Sequence, residues 1–179
     1  MARYRRVYVK SILKKIDSAA TADAKGAALE ELASYLFEAV PGVKCADRNI
    51  LDAPRAHELD LAFWNDQRVS DLHFLDAVLI VECKATAKPV RSADVGWFVR
   101  KLQDRGAHNG ILVALKGVTG RGRTSAHSEI LNALVRDKIK ILLLTRQEIL
   151  ALTETEDLSE ALKRKVLQLT LREVVHIDH

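Results

Sequence analysis

Two short runs carry acids where acids are unexpected. Ala77-Val78-Leu79-Ile80-Val81-Glu82-Cys83-Lys84 is an apolar run that ends in a carboxylate and a lysine, and His57-Glu58-Leu59-Asp60-Leu61-Ala62-Phe63-Trp64 carries a second acid upstream. The first run is short and rich in β-branched residues and reads as a buried strand. On a strand, residues i and i+2 share a face, so Glu82 and Lys84 project together and Cys83 projects the other way. Two charges on one face of a buried strand call for a reason. Phosphodiester hydrolysis would supply one. It needs a water activated near neutral pH and a charge sink for the crowded phosphorus centre, and a divalent metal provides both. Mg²⁺ takes hard oxygen ligands and keeps several waters, so one or two carboxylates suffice. Asp60 and Glu82 on adjacent strands are the candidate ligands, with the backbone carbonyl of Cys83 as a third, and Mn²⁺ is expected to substitute. Lys84 would hold or polarise the attacking water and balance charge in the transition state, a task suited to a compact ammonium. Taken alone, Glu-x-Lys is equally the sequence of a solvated salt bridge at a strand end.

The elements around these residues give the spacing its context. A helix over about 7–17 opens the chain, with Val7, Ile12 and Ile16 as its packing residues, and a second runs from about Asp23 to Val40, stopped by Pro41-Gly42. Strands follow over 43–50, 58–64 and 74–84. Ser92 is placed as the N-cap of a helix reaching about Arg105, with Val95, Phe98, Val99 and Leu102 inward. A strand over 111–115, a helix over about 125–136 and a strand over 139–144 come next. The tail from Glu148 is helical, with Leu158, Leu162, Val166 and Leu169 on one stripe. The order α-β-β-β-α-β-α-β-α predicts an α/β fold, a mixed sheet with helices on both faces.

At 179 residues, with no linker or repeat, the chain reads as one domain over 1–179. No apolar stretch approaches the roughly 20 residues that span a bilayer, and the basic N-terminus leads into no apolar segment, so the expected location is cytoplasmic without membrane attachment. Cys45 and Cys83 lack metal-ligand spacing and are expected to be reduced thiols. Net charge is +4, while residues 1–16 alone carry +6 through Arg3, Arg5, Arg6, Lys10, Lys14 and Lys15, leaving −2 elsewhere. Such an arm suits a polyanion such as DNA, or is simply the wet face of an amphipathic helix. Arg5, Arg6 and Lys10 are therefore candidate phosphate contacts, as is Arg48, which could alternatively pair with Asp47 or Asp52. Gly117-Val118-Thr119-Gly120-Arg121-Gly122-Arg123-Thr124 nearly matches a nucleotide-binding Gly-x₄-Gly-Lys-(Ser/Thr) loop, but Arg123 stands for the lysine and Thr145, not an acid, follows the last strand. Arg121 and Arg123 remain candidates for gripping nucleic-acid phosphates.

With these motifs in view, the chain resembles the PD-(D/E)xK, or restriction-endonuclease-like, nucleases, in the branch of the Mrr-type restriction endonucleases. That family has an αβββαβ core, which residues about 25–145 follow, with the basic helix at 1–20 and helices at 147–173 as additions. Its first-helix pattern Gly-x-x-(Phe/Leu)-Glu-x-Leu matches Gly26, Leu29, Glu30 and Leu32; its catalytic acid matches Asp60; its (D/E)xK matches Glu82 and Lys84; its next strand matches Gly110-Ile111-Leu112-Val113. Leu59 replaces the Pro of the name. The resemblance implies a Mg²⁺-dependent endonuclease acting on DNA, with Glu30 as a helix acid working through water. Periodicity barely separates Glu30 from Glu31, and the family pattern favours Glu30. No specificity or motor domain is legible, which implies a possible separate subunit for that task. Cutting both strands of a duplex would need two sites, hence a homodimer, for which the C-terminal stripe is a candidate interface unless it caps the core. The alternative is a non-catalytic nucleic-acid-binding or assembly module of the same fold.

Overall fold

The computed structural model describes residues 2–51, 58–120, 122 and 124–172. Five strands form one sheet in the order β1-β2-β3-β4-β5: β1 Val43–Leu51, β2 Glu58–Asn65, β3 Val78–Lys84, β4 Asn109–Ala114 and β5 Lys140–Leu144. β1, β2 and β3 pair antiparallel and β3, β4 and β5 pair parallel, so the sheet is mixed, as the element order predicts. The helices are α1 Arg6–Ser18, α2 Ala22–Glu38, α3 Ser92–Gln103, α4 Ala126–Asn132, α5 Arg146–Ala151 and α6 Thr155–Arg172.

α2 and α3 cover opposite faces. Phe37 of α2 packs on Phe63 of β2 with ring centroids 5.4 Å apart. On the other face α3 comes close to β4 at Gly110, where an added Cβ would lie 2.4 Å from Leu102 and 2.8 Å from Phe98. The glycine is there because a side chain would push the helix off the sheet. α1 lies outside α2: Tyr4 donates its hydroxyl to the Leu36 carbonyl (2.9 Å) and Lys15 reaches Glu31 (2.8 Å).

Several boundaries differ from the sequence expectation. The strand placed at 74–84 begins at Val78, because Asn65 Nδ2 takes the carbonyls of Leu72 and Asp76 and Gln67 Nε2 takes that of Leu75, holding the preceding segment in turns. Ser92 is the first helical residue, not the cap; Arg91 precedes it, its N–H donating to Asp94 Oδ2. α4 is shorter than predicted and passes into a π-helical turn, Ala133–Asp137, closed by Lys138 at φ 60°. The helices expected over 147–173 are α5 and α6. Asp157 accepts from the Thr153 and Glu154 N–H groups and the Thr153 hydroxyl, which ends one segment and caps the next. Val7 is 84% exposed; Val9, Ile12, Leu13 and Ile16 are the packing stripe of α1. Among the described residues, no helix is long and apolar enough to cross a membrane.

Candidate active site

Asp60, Glu82 and Lys84 meet where β2 and β3 part. The regular pairing of the two strands ends at Leu61 opposite Val81. One residue further, Asp60 Oδ2 takes the backbone N–H of Cys83 at 2.6 Å. A side chain thus replaces a ladder partner, and the carboxylate is pinned against β3. Glu82 is buried (2% exposed) and Lys84 Nζ lies 2.9 Å from its Oε1. Cys83 turns into the core between them and is not bonded to Cys45.

The electrostatics follow from this crowding. Burial first, and then the charge of Glu82, push Asp60 up to about 6, against the pull of the Cys83 N–H and of Lys101 and Lys84. Burial works against the charged form of Lys84, but Glu82, Asp60 and Asp94 outweigh it and raise its pKa. Glu30 shares the same field: burial raises its pKa, Glu58 and Glu82 add to the rise, and Arg48 opposes it. Glu31 is drawn away, accepting from Lys15 Nζ (2.8 Å) and the Tyr8 hydroxyl (3.1 Å) on α1. α1 thus holds Glu31 through Lys15 and Tyr8, while Glu30 is coupled to Glu82 and Glu58.

One member escaped the sequence reading. Lys101 of α3 bonds both oxygens of Glu82, at 2.9 and 2.8 Å, from a side chain only 13% exposed. Its position, three residues after Phe98 and one before Leu102 on the inner stripe, was the available signal: a cation on that flank points toward the sheet.

Oxygen donors suited to a hard divalent cation are therefore present in Asp60, Glu82 and the Cys83 carbonyl. Among the described residues, no three His, Cys, Asp or Glu side chains are grouped closely enough to cage a metal, and a Mg²⁺ site built on one or two carboxylates requires no such cage. The fit rests on Asp60, a carboxylate whose burial beside a second acid makes its charge costly until a cation shares it. Next to the site, on the same sheet face, lies an open, mainly apolar cavity of about 450 Å³ lined by Ala62, Val78, Ile80, Arg105 and His108 among others.

The basic candidates are dispersed. Arg5, Arg6 and Lys10 are exposed on and beside α1. The Arg48 guanidinium turns to α2, donating to Ser34 Oγ at 2.6 Å with Glu38 at 3.8 Å, while its backbone N–H donates to Asp47 Oδ1 at 2.8 Å. Arg121, Arg123, His57 and Asp52 lie outside the described residues, as do His176 and His179. The loop around Arg121 does not present a phosphate cradle in its described part. The Thr119 N–H goes to the Val90 carbonyl, Ala126 N–H to Thr119 Oγ1, His127 N–H to the Thr119 carbonyl and Ser128 N–H to Ser125 Oγ. The Thr119 N–H ties the loop to the segment after β3, the Ala126, His127 and Ser128 N–H groups are spent at the start of α4, and Thr145, after β5, caps α5 through Glu148. The C-terminal stripe is likewise spent internally: Leu158, Leu162 and Leu169 are buried in the chain's own core and Val166 packs against it, so it is not a free dimer interface.

A family model described as a restriction endonuclease matches residues 21–153, well over half of the chain and all five strands. No curated protein and no solved structure matches.

Proposed function

Starting from the fact that the chain belongs to the Mrr-type restriction endonuclease family, we propose that it is a divalent-metal-dependent deoxyribonuclease whose site is Asp60, Glu82 and Lys84, with Glu30 in support. The observation that carries this reading is the single strand end where Asp60 is tied to the Cys83 N–H and Lys84 to Glu82. Asp60, Glu82 and the Cys83 carbonyl are the groups that would hold Mg²⁺ or Mn²⁺. The cation, when bound, supplies Lewis acidity toward a phosphate oxygen and an acidified water.

The protein's own groups do the rest. The Asp60–Cys83 bond fixes one carboxylate against the backbone, so its oxygens are aimed before substrate arrives. Lys84, kept protonated by its acidic neighbours, orients an attacking water and stabilises the negative charge that grows on the phosphate. Glu30 accepts protons through solvent, its raised pKa bringing it nearer to working pH. The exposed cations Arg5, Arg6 and Lys10 add a sequence-independent hold on the phosphate backbone. A duplex cut on both strands requires two such sites, so paired copies or a companion subunit belong to this reading.

A cleavage assay tests it: supercoiled plasmid, single-stranded and branched DNA with Mg²⁺ or Mn²⁺, beside Glu82→Ala and Lys84→Ala. Metal-dependent cutting is expected, falling by about 10²–10³-fold without the Lys84 ammonium. A second reading, a DNA-binding module without catalysis, is favoured by one observation, that both Glu82 oxygens are already held by lysines. It predicts DNA binding with no cutting of any form and no metal requirement.

A further inference from the structure

We propose that Lys101 is a built-in competitor for the metal: its ammonium occupies the Glu82 carboxylate, a divalent cation binds Glu82 only by displacing it, and Lys101 thereby sets the metal affinity of the site. The proposal rests on the reading of Asp60 and Glu82 as metal ligands.

Three features of the structure lead to it. Lys101 Nζ sits symmetrically on both oxygens of Glu82, at 2.9 and 2.8 Å, while Lys84 already satisfies Oε1 at 2.9 Å. Lys84 alone balances the Glu82 charge but reaches only Oε1, so Lys101 both satisfies Oε2 and adds a second positive charge. The charge balance makes that second charge consequential. Asp60 and Glu82 carry two negative charges and Lys84 and Lys101 two positive ones, so these four groups sum to zero, and the remaining attraction for a divalent cation comes from Glu30 and Asp94 farther out. Without Lys101 the remaining three groups sum to −1. Finally, Lys101 comes from α3 rather than from the strands that carry the acids. Its flexible four-carbon stem lets the ammonium swing away while Phe98 and Leu102, both buried, keep the helix docked. Lys84, by contrast, is on the strand of Glu82 itself and moves with it.

The test is calorimetric titration of the full chain with Mn²⁺ in the absence of DNA, comparing wild type, Lys101→Met, Lys101→Gln and Asp60→Asn, with circular dichroism to establish folding. Lys101→Met removes the charge; Lys101→Gln removes it but keeps a donor for Glu82, and decides the matter if the methionine variant does not fold. A unit charge within about 5 Å of a divalent ion predicts at least ~10-fold tighter Mn²⁺ binding in both variants. Unchanged or weaker binding in folded Lys101 variants, with wild-type binding abolished by Asp60→Asn, overturns the proposal and leaves the metal-dependent site intact. Binding by the Lys101 variants where wild type shows none supports the proposal in its strongest form. Failure of every variant to bind Mn²⁺ overturns the metal-site reading and this inference with it.

Discussion

Replacing Asp60 by Asn should stabilise the protein while disabling the site. Asp60 titrates at about 6 in the fold against an ordinary 3.8, chiefly because it is buried and secondly because Glu82 is beside it. A shift of a little over two units corresponds to ~3 kcal/mol at 1.36 kcal/mol per unit. Since the folded-state value is the higher one, the folded protein holds the proton more tightly than the unfolded chain. The associated stability is fully present below about pH 4 and is lost as pH rises through about 6. At pH 7.5 the ionised carboxylate is therefore a standing cost. Asparagine keeps an oxygen for the Cys83 N–H but forgoes a charge-assisted bond, which returns roughly 1 kcal/mol of the gain. The net expectation is ~2 kcal/mol, or about 4–8 °C in melting temperature for a chain of this size. Thermal unfolding in a chelator-containing buffer at pH 7.5 and at pH 4 measures it. The variant should melt higher at pH 7.5 and the difference should shrink toward pH 4. Addition of Mg²⁺ should raise the wild-type transition and leave that of the variant unmoved. A variant that melts at or below wild type at pH 7.5, or a difference that does not diminish on acidification, would refute the electrostatic reasoning.

Three further predictions concern the scaffold and the basic residues at the start of the chain. Lys165 and Glu148 form an ion pair in which both side chains are almost wholly buried; Lys165→Met should cost about 3 kcal/mol in urea unfolding, and adding Glu148→Gln should recover part of that loss. Gly110→Ala places a methyl against Leu102 and Phe98, and should lower stability by ~1–3 kcal/mol and shift α3, seen as a lower midpoint and altered near-ultraviolet dichroism. Neutralising Arg5, Arg6 and Lys10 together should weaken binding to any DNA sequence alike and flatten its dependence on salt, as read by fluorescence anisotropy at several ionic strengths; unchanged affinity and slope would assign these cations to solvent.

What the sequence determined by itself was the order of elements and the strand on which Glu82 and Lys84 lie. Alternation and β-branching are properties of the local chain, so Glu82 and Lys84 could be placed on one face and Cys83 on the other before any contact was known. The helical spacing of Leu29, Leu32, Leu36 and Phe37 fixed the inner face of α2 in the same way, and the short motifs sufficed to identify the family. β3 starts later than the apolar run suggests because the side chains of Asn65 and Gln67, in the turn just upstream, donate to the carbonyls of the segment before it.

Only the tertiary structure decided which charges belong together. Glu30 and Glu31 are neighbours on one helix with nearly equivalent periodicity, and α1 separates them by taking Glu31 with Lys15 and Tyr8. Lys101 was invisible as a partner of Glu82 because the two lie 19 residues apart on different elements and meet only when α3 closes onto the sheet at Gly110. Arg48 turned to α2, and the C-terminal apolar stripe went into the core instead of outward, for the same reason. Local pattern dictates the face on which a side chain emerges; Coulomb and desolvation energies depend on distances across the fold, and those exist only once the elements have packed.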